Sequence, residues 1–471
     1  MRCESCNKKN MEYYPTNSKV CKQCIIDRQR YPSSREALLE KATSKRGDGI
    51  YIISSVIAGT GFCSSLLSNM EEYSKLIDAE IILIGIKSTL TASKTRKDYY
   101  PTRSLQYLHR KVKLGGCLVV EDIGIRPTVK HPMSGLSDIN DHKNYIVGHP
   151  KITKDTIPDG IESSKIVGST GTISKLSFDS TSKANKALMK GYRYGFFIVE
   201  IKGGNLLYCM PVEPSKAGEF FKGGILAKIM GDIHSDRLGK DRRAYVSSFL
   251  KKYKSKYTVL HDFISGESIS HHNENKPFSK NTIHKRIASE FTCAQRLLRD
   301  MSKWDSDTVF VFPYCNHDDH PVKWLDSFRW SRDENNRDFA ITFVGFMDEV
   351  NPTISYVCKY QPPNKVRILD KSEGFKIGGY QVGVHGHTLT YGRANPQTLN
   401  KSLGKSFCGH YHREMCLSNT WFVGKSCDKR QGYNEFNDLS SPTHGVIFED
   451  TSRTMIPDDV EIDLKLEDWN A

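Results

Sequence analysis

The sequence predicts a mixed α/β (α+β) protein with two large domains behind a small metal-stabilised module, and three observations carry that prediction. At 471 residues the chain is longer than one ordinary hydrophobic core serves. Apolar runs of strand length alternate with helical or loop segments in two successive series. Two Cys-x-x-Cys pairs stand at the very start, in a segment too short to bury a core of its own.

Residues 1–30 hold Cys3, Cys6, Cys21 and Cys24, with fourteen residues between the pairs. That spacing suits a tetrahedral four-thiolate zinc site, each pair gripping the cation from one turn. One structural zinc would replace the core the module lacks. Lys8, Lys9, Lys19, Lys22, Arg28 and Arg30 around it favour phosphate contact. Residues 31–48, with a Ser cap before a charged helical stretch and Gly after it, read as a linker.

The first series of strands (YIISSV, EIILIGI, CLVVED, GFFIVEI) defines an α/β domain over 49–225, to which the residues assign no chemistry. Within it, Lys94, Arg96, Lys97, Arg103, Arg110, Lys111 and Lys113 interleave with Tyr99, Tyr100 and Tyr107. Such a patch can track a phosphate backbone and stack on bases, and Arg103, Arg110, Lys111 and Lys113 are its nucleic-acid candidates. A solvated loop with buried tyrosines fits the pattern equally well. The second series fills 226–455, and 456–471 is an acidic tail, mobile or folded back on a basic surface.

A hydrophobic content of 38% with 26% charged residues describes a globular protein, and the net charge of +14 favours polyanionic partners, DNA before RNA. No apolar run approaches the roughly 18 residues of a membrane span, and the N-terminus lacks the apolar stretch of a signal peptide. Thirteen cysteines, an odd number and mostly scattered through apolar segments, fit a reducing cytoplasm better than a disulfide framework. There is no P-loop ending in Gly-Lys-Ser/Thr and no nucleophile elbow. Oligomeric state is left open, a homodimer included.

The chemistry lies where the strands of the second series end. ILAKIM runs into GDIHSD, YTVL into HDFISG, TVFVFPY into CNHDDH, YQVGV into HGH and KSFC into GHYH. Loops leaving the carboxyl ends of strands converge on one crevice, so residues far apart in sequence can share a site. Asp232 and His234 can reach one cation from a single loop, and His412 would complete its shell. Asp262 offers a carboxylate able to bridge to a second cation, for which Asn316, His385 and His410 are neutral ligands. His317 stands beside a ligand without being needed as one, so it is placed to donate a proton to a leaving group, with Asp318 to orient its ring. His387 is an alternative to His385, whereas His261, His271, His272 and His320 read as surroundings.

The ordered set Asp-x-His (232, 234), Asp262, Asn-His-Asp (316–318), His385 and Gly-His-x-His (409–412) resembles the signature of calcineurin-like metallophosphoesterases, over about residues 225–450. The resemblance implies a sandwich of two mixed sheets flanked by helices and two divalent metal ions, manganese first, with iron, zinc or magnesium as alternatives. HGHTLTYGR followed by GHYH narrows it to the nuclease branch. There the chain resembles the pre-early, host-DNA-degrading proteins of large tailed bacteriophages and, more distantly, the exonuclease subunit of double-strand-break repair complexes. A phage-encoded enzyme of this kind would act in the host cytoplasm. The chain departs from the pattern at Ser235, His261 and Cys315, each standing where glycine is usual. Two other readings stay open: a phosphatase or small-molecule phosphodiesterase with the same centre, and a nucleic-acid-binding regulator with an inactive phosphoesterase domain.

Overall fold

The computed structural model describes residues 44–86, 100–129, 131–136, 143–158, 164–175, 186, 191–270, 286–389, 392–428 and 440–471. The cysteine module, most of the linker, Lys94, Arg96, Lys97, Tyr99, His271 and His272 lie outside the described residues. The fold is mixed α/β and divides into two compact units, Met1–Thr153 with Lys165–Glu219, and Lys154–Ser164 with Phe220–Ala471.

The first unit contains far more sheet than the alternating pattern led one to expect. Gly49–Ile57 pairs in parallel with Ala79–Ile86, and helix Ser64–Leu76 makes the crossover, burying Leu66, Leu67, Met70 and Tyr73. On the other side Gly49–Ile57 pairs antiparallel with Phe196–Lys202, which turns through Gly203 and Gly204 into Asn205–Glu213. Both glycines have positive φ (57° and 74°), the conformation a tight hairpin of matching twist requires. Leu108–His109 extends this group beside Ala79–Ile86, and the other strands of the unit, from Ser44–Arg46 through Ser164–Gly171, form a second group of mixed direction.

In the second unit, four strands run parallel in the order of the chain: β1 (Ile225–Met230), β2 (Ser255–Leu260), β3 (Val309–Phe312) and β4 (Val366–Ile368). β1 and β3 are mostly apolar and buried, as strands covered on both faces must be, whereas β2 and β4 each expose a basic residue, Lys256 and Arg367. The pairing continues antiparallel from β1 to β10 (Thr443–Phe448) and on to β11 (Arg453–Pro457). A further five strands pair in the order β8 (Met415–Leu417), β9 (Thr420–Phe422), β7 (Ser406–Cys408), β6 (Tyr380–Gln381) and β5 (Lys376–Ile377).

Helices α1 (Lys240–Lys252) and α2 (Ile287–Trp304) cross between the parallel strands. Along α2, Ile287, Phe291, Ala294, Leu297, Leu298 and Met301 recur at helical spacing and are all buried. Arg453 is also fully buried. Its guanidinium lies 4.1 Å from the Trp421 ring and donates to the carbonyls of Ser406 and Asn419, tying β11 to β7 and β9. The acidic tail folds back, with the indole of buried Trp469 donating to Phe220 O at 2.7 Å and Lys222 above its ring. Among the described residues no helix is long and apolar enough to cross a membrane.

Candidate metal centre

The carboxyl ends of β1, β2 and β3 deliver Asp232 and His234, Asp262, and Asn316 with His317, while His385 follows β6, and His410 and His412 follow β7. Backbone bonds lock the loops together: His234 N–H donates to Asp262 O at 2.8 Å, and Ile233 N–H to His261 O at 3.1 Å. Four of these residues adopt left-handed backbone, His234 (φ 42°), Asp262 (40°), His410 (76°) and His412 (55°). Non-glycine residues in that region cost about 1–3 kcal/mol each and concentrate where function demands the geometry. Gly409 is needed for a different reason. A Cβ there would lie 2.3 Å from Asp232 Oδ1, so only glycine lets the loop approach. With that approach, His410 N–H donates to Asp232 Oδ2 at 2.8 Å.

The side chains converge in two overlapping groups. Around Asp232, His412 Nε2 lies 3.3 Å from Asp232 Oδ2 and 3.4 Å from His234 Nε2. Around Asp262, His385 Nε2 lies 3.1 Å from Asp262 Oδ2, and the His410 ring packs 5.2 Å from that of His385. His385 is buried and His387 is further out, with its ring 5.5 Å from that of His385. Asp232 Oδ1, Asp262 Oδ1 and Asn316 Oδ1 are buried without a hydrogen-bond partner, and His385 Nε2 has the Asp262 carboxylate beside it. Buried polar atoms without partners cost about 1–3 kcal/mol each. Three of them, oxygens from three separate loops, converging with the His385 ring, are the set that divalent cations satisfy. The residues therefore fit the group the resemblance implies.

Electrostatics point the same way. Burial pushes the Asp232 carboxyl up to about 8, against the pull of His385. Burial also opposes charge on His385, but the Asp262 and Asp232 carboxylates override it and raise the imidazole to about 9. Asp262 is driven up by burial yet held well below the usual carboxylate range by His385 and His317. Burial lowers His412 to about 3 and holds His234 well below the ordinary imidazole range, so both present neutral rings with lone pairs. Two facing carboxylates thus draw a positive charge into the site, and in the bare protein the His385 imidazolium supplies it.

His317 Nδ1 donates to the carbonyl of Ser265 at 2.6 Å, which leaves Nε2 3.8 Å from Asp262 Oδ2. Asp318, expected to orient this ring, does not touch it. Its Oδ2 instead accepts from Cys315 N–H at 2.9 Å and from Asn351 at 2.8 Å, closing the turn that presents Asn316. A carboxylate three residues on reaches back more easily to the turn's own amide than forward to the neighbouring ring. The Ser265 loop is in turn held by Glu290 of α2, which accepts from Ser265 Oγ at 3.0 Å and Ser268 N–H at 2.9 Å. Helix α2 thereby supports His317 through the Ser265 loop.

Sequence reasoning missed Glu290, Ser265 and Lys425. Lys425 is buried beside Asp232, bridged to it through the backbone, and lowers its carboxyl. Its place just after the β9 strand was a usable signal. In the first unit Arg103 pairs with Glu71 and Lys111 with Glu121 at 2.6 Å, so two of the four nucleic-acid candidates already have acidic partners. Arg110 is exposed and Lys113 half-buried.

No protein-family model matches the chain. It is similar to Protein A1 of Escherichia phage T5, with 24% identity over 470 residues, covering 86% of this chain and 81% of that protein.

Proposed function

We propose that this protein is a metal-dependent nuclease that hydrolyses DNA phosphodiester bonds at the centre built on Asp232 and Asp262. The observation that carries the reading is the convergence, from separate strand ends, of buried donor atoms without partners. Asp232, His234, Asp262 and His412 would hold one cation, and Asp262, Asn316, His385 and His410 the other, with manganese the expected metal. Bound there, two divalent cations would lower the pKa of an attacking water and neutralise charge on the phosphate. The chain's own part is to hold the ligands preorganised on strained loops and to keep His317 Nε2 facing the site. From there the imidazolium form would donate its Nε2 proton to the departing oxygen, with Nδ1–H staying on Ser265 O.

DNA is the substrate of choice on the +14 charge and on the resemblance to phage proteins that degrade host DNA, to which the similarity to a phage T5 protein adds support. On that reading the enzyme works in the cytoplasm of an infected bacterium. The cysteine module, with one zinc on Cys3, Cys6, Cys21 and Cys24, and the exposed Arg110 would help hold the polymer. The test is incubation with linear and circular DNA in manganese, with and without EDTA, beside Asp262→Asn. Cleavage that needs both manganese and Asp262 supports the reading; intact DNA in every condition overturns it.

A further inference from the structure

Two of the departures from the metallophosphoesterase pattern, His261 and Cys315, are 54 residues apart in sequence, and the fold brings them to one place. Both are side chains where the pattern has none. With His385 they form a buried trio whose donor atoms lie within 4.8 Å of one another. His261 Nδ1 is 3.4 Å from His385 Nδ1. Two imidazole nitrogens on one tetrahedral cation, each at about 2.0–2.1 Å, are about 3.3 Å apart. Cys315 Sγ accepts from Asp262 N–H at 3.3 Å, a bond a thiolate would keep. His261 Nε2 is buried with no hydrogen-bond partner, and the contact of Nδ1 with His385 is the one side-chain hydrogen bond the ring makes among the described residues.

We propose that His261, Cys315 and His385 form a third cation site, selective for a soft or borderline divalent ion of the zinc or cadmium type and sharing His385 with the two-metal centre. One thiolate and two imidazoles discriminate against manganese and magnesium, which prefer oxygen. Binding releases the thiol proton and the His385 Nδ1 proton to solvent. His385 turns Nε2 toward Asp262 and Nδ1 toward His261, so a cation on each nitrogen requires the ring to give up both protons. Filling the soft site therefore weakens the neighbouring ligand set. The consequence, which rests on the nuclease reading, is that zinc inhibits the manganese enzyme.

Cadmium titration of the full-length protein, followed by thiolate-to-metal absorption, tests the site without any activity. Cys3, Cys6, Cys21 and Cys24 contribute equally to wild type and Cys315→Ser, so the difference isolates Cys315. The site predicts one additional equivalent in the wild type, and its weakening by roughly tenfold or more in His261→Asn, which also serves if Cys315→Ser fails to fold. Identical titrations of wild type and variants overturn the site. In DNA cleavage, each variant measured against its own activity in manganese alone, zinc should inhibit the wild type at roughly tenfold lower concentration than either variant. Absence of cleavage with the cadmium difference intact removes the nuclease reading and leaves the site standing.

Discussion

The carbonyl of Ser265 and Nδ1 of His317 are 2.6 Å apart, and because a carbonyl only accepts, Nδ1 keeps its proton and Nε2 is the nitrogen that takes up and gives away the other. Nε2 is left facing Asp262 at 3.8 Å, on the side where the ligands converge. His317→Ala should lower the rate of DNA cleavage by about 10²–10⁴-fold, the usual worth of a positioned acid, and leave manganese binding intact. Turnover and calorimetric manganese titration on the same preparation check this. Lost metal with lost activity would make His317 a ligand instead.

Gly409→Ala puts a methyl group 2.3 Å from Asp232 Oδ1 in a loop that also carries His410 and His412. The loop must retreat, and three proposed ligands move at once. Manganese affinity should fall by roughly 10–100-fold, with little change in far-ultraviolet circular dichroism. Unchanged affinity would show that this loop does not bind metal.

The site also predicts how stability varies with pH. In the metal-free protein His385 is raised from 6.5 to about 9 and Asp232 from 3.8 to about 8, so the folded state holds both protons more tightly than the unfolded state. Stability from a raised group is full below its unfolded value and lost as pH climbs through the folded one. EDTA-treated protein should thus melt at progressively lower temperature from pH 6.5 to 9. Asp262, held well below 3.8, has the opposite sign and acts only in stronger acid. Manganese needs these groups deprotonated, so the melting-temperature gain it confers should widen over the same window. A constant gain would refute the assignment.

Lys228 on β1 and Asp305 at the end of α2 form a fully buried pair at 2.5 Å, and burial lowers the lysine to about 8 despite its partner. Asp305→Ala leaves an uncompensated ammonium in the core and should cost about 3–5 kcal/mol in chemical denaturation. Replacing both by apolar residues of similar volume should restore most of that loss.

The parts legible in the sequence were those set by chain order. Asp232, Asp262, Asn316 and His410 could be read because a strand ending in a donor residue is a local pattern; β1, β2 and β3 are the runs that carry the first three, whereas β4, with exposed Arg367 at its centre, was not among them. The illegible parts depend on contacts between distant segments. Glu290 reaches Ser265 from a helix whose periodicity marks only its buried face. Asp318 turns to Cys315 and Asn351, a choice of partner that no spacing announces. The predominance of sheet in the first unit escaped because short half-buried strands such as Lys111–Leu114 carry too few residues to show a period.

His234 and His412 meet across 178 residues of chain, and His412 sits on a turn whose backbone is fastened to Ser441. A ribosome adds residues from the amino end, so every ligand but the last two is made well before the centre can close. Any chain that stops short of residue 412 has its first carboxylates in place and no second wall to face them. A centre assembled in this order cannot close before residue 412 has been made.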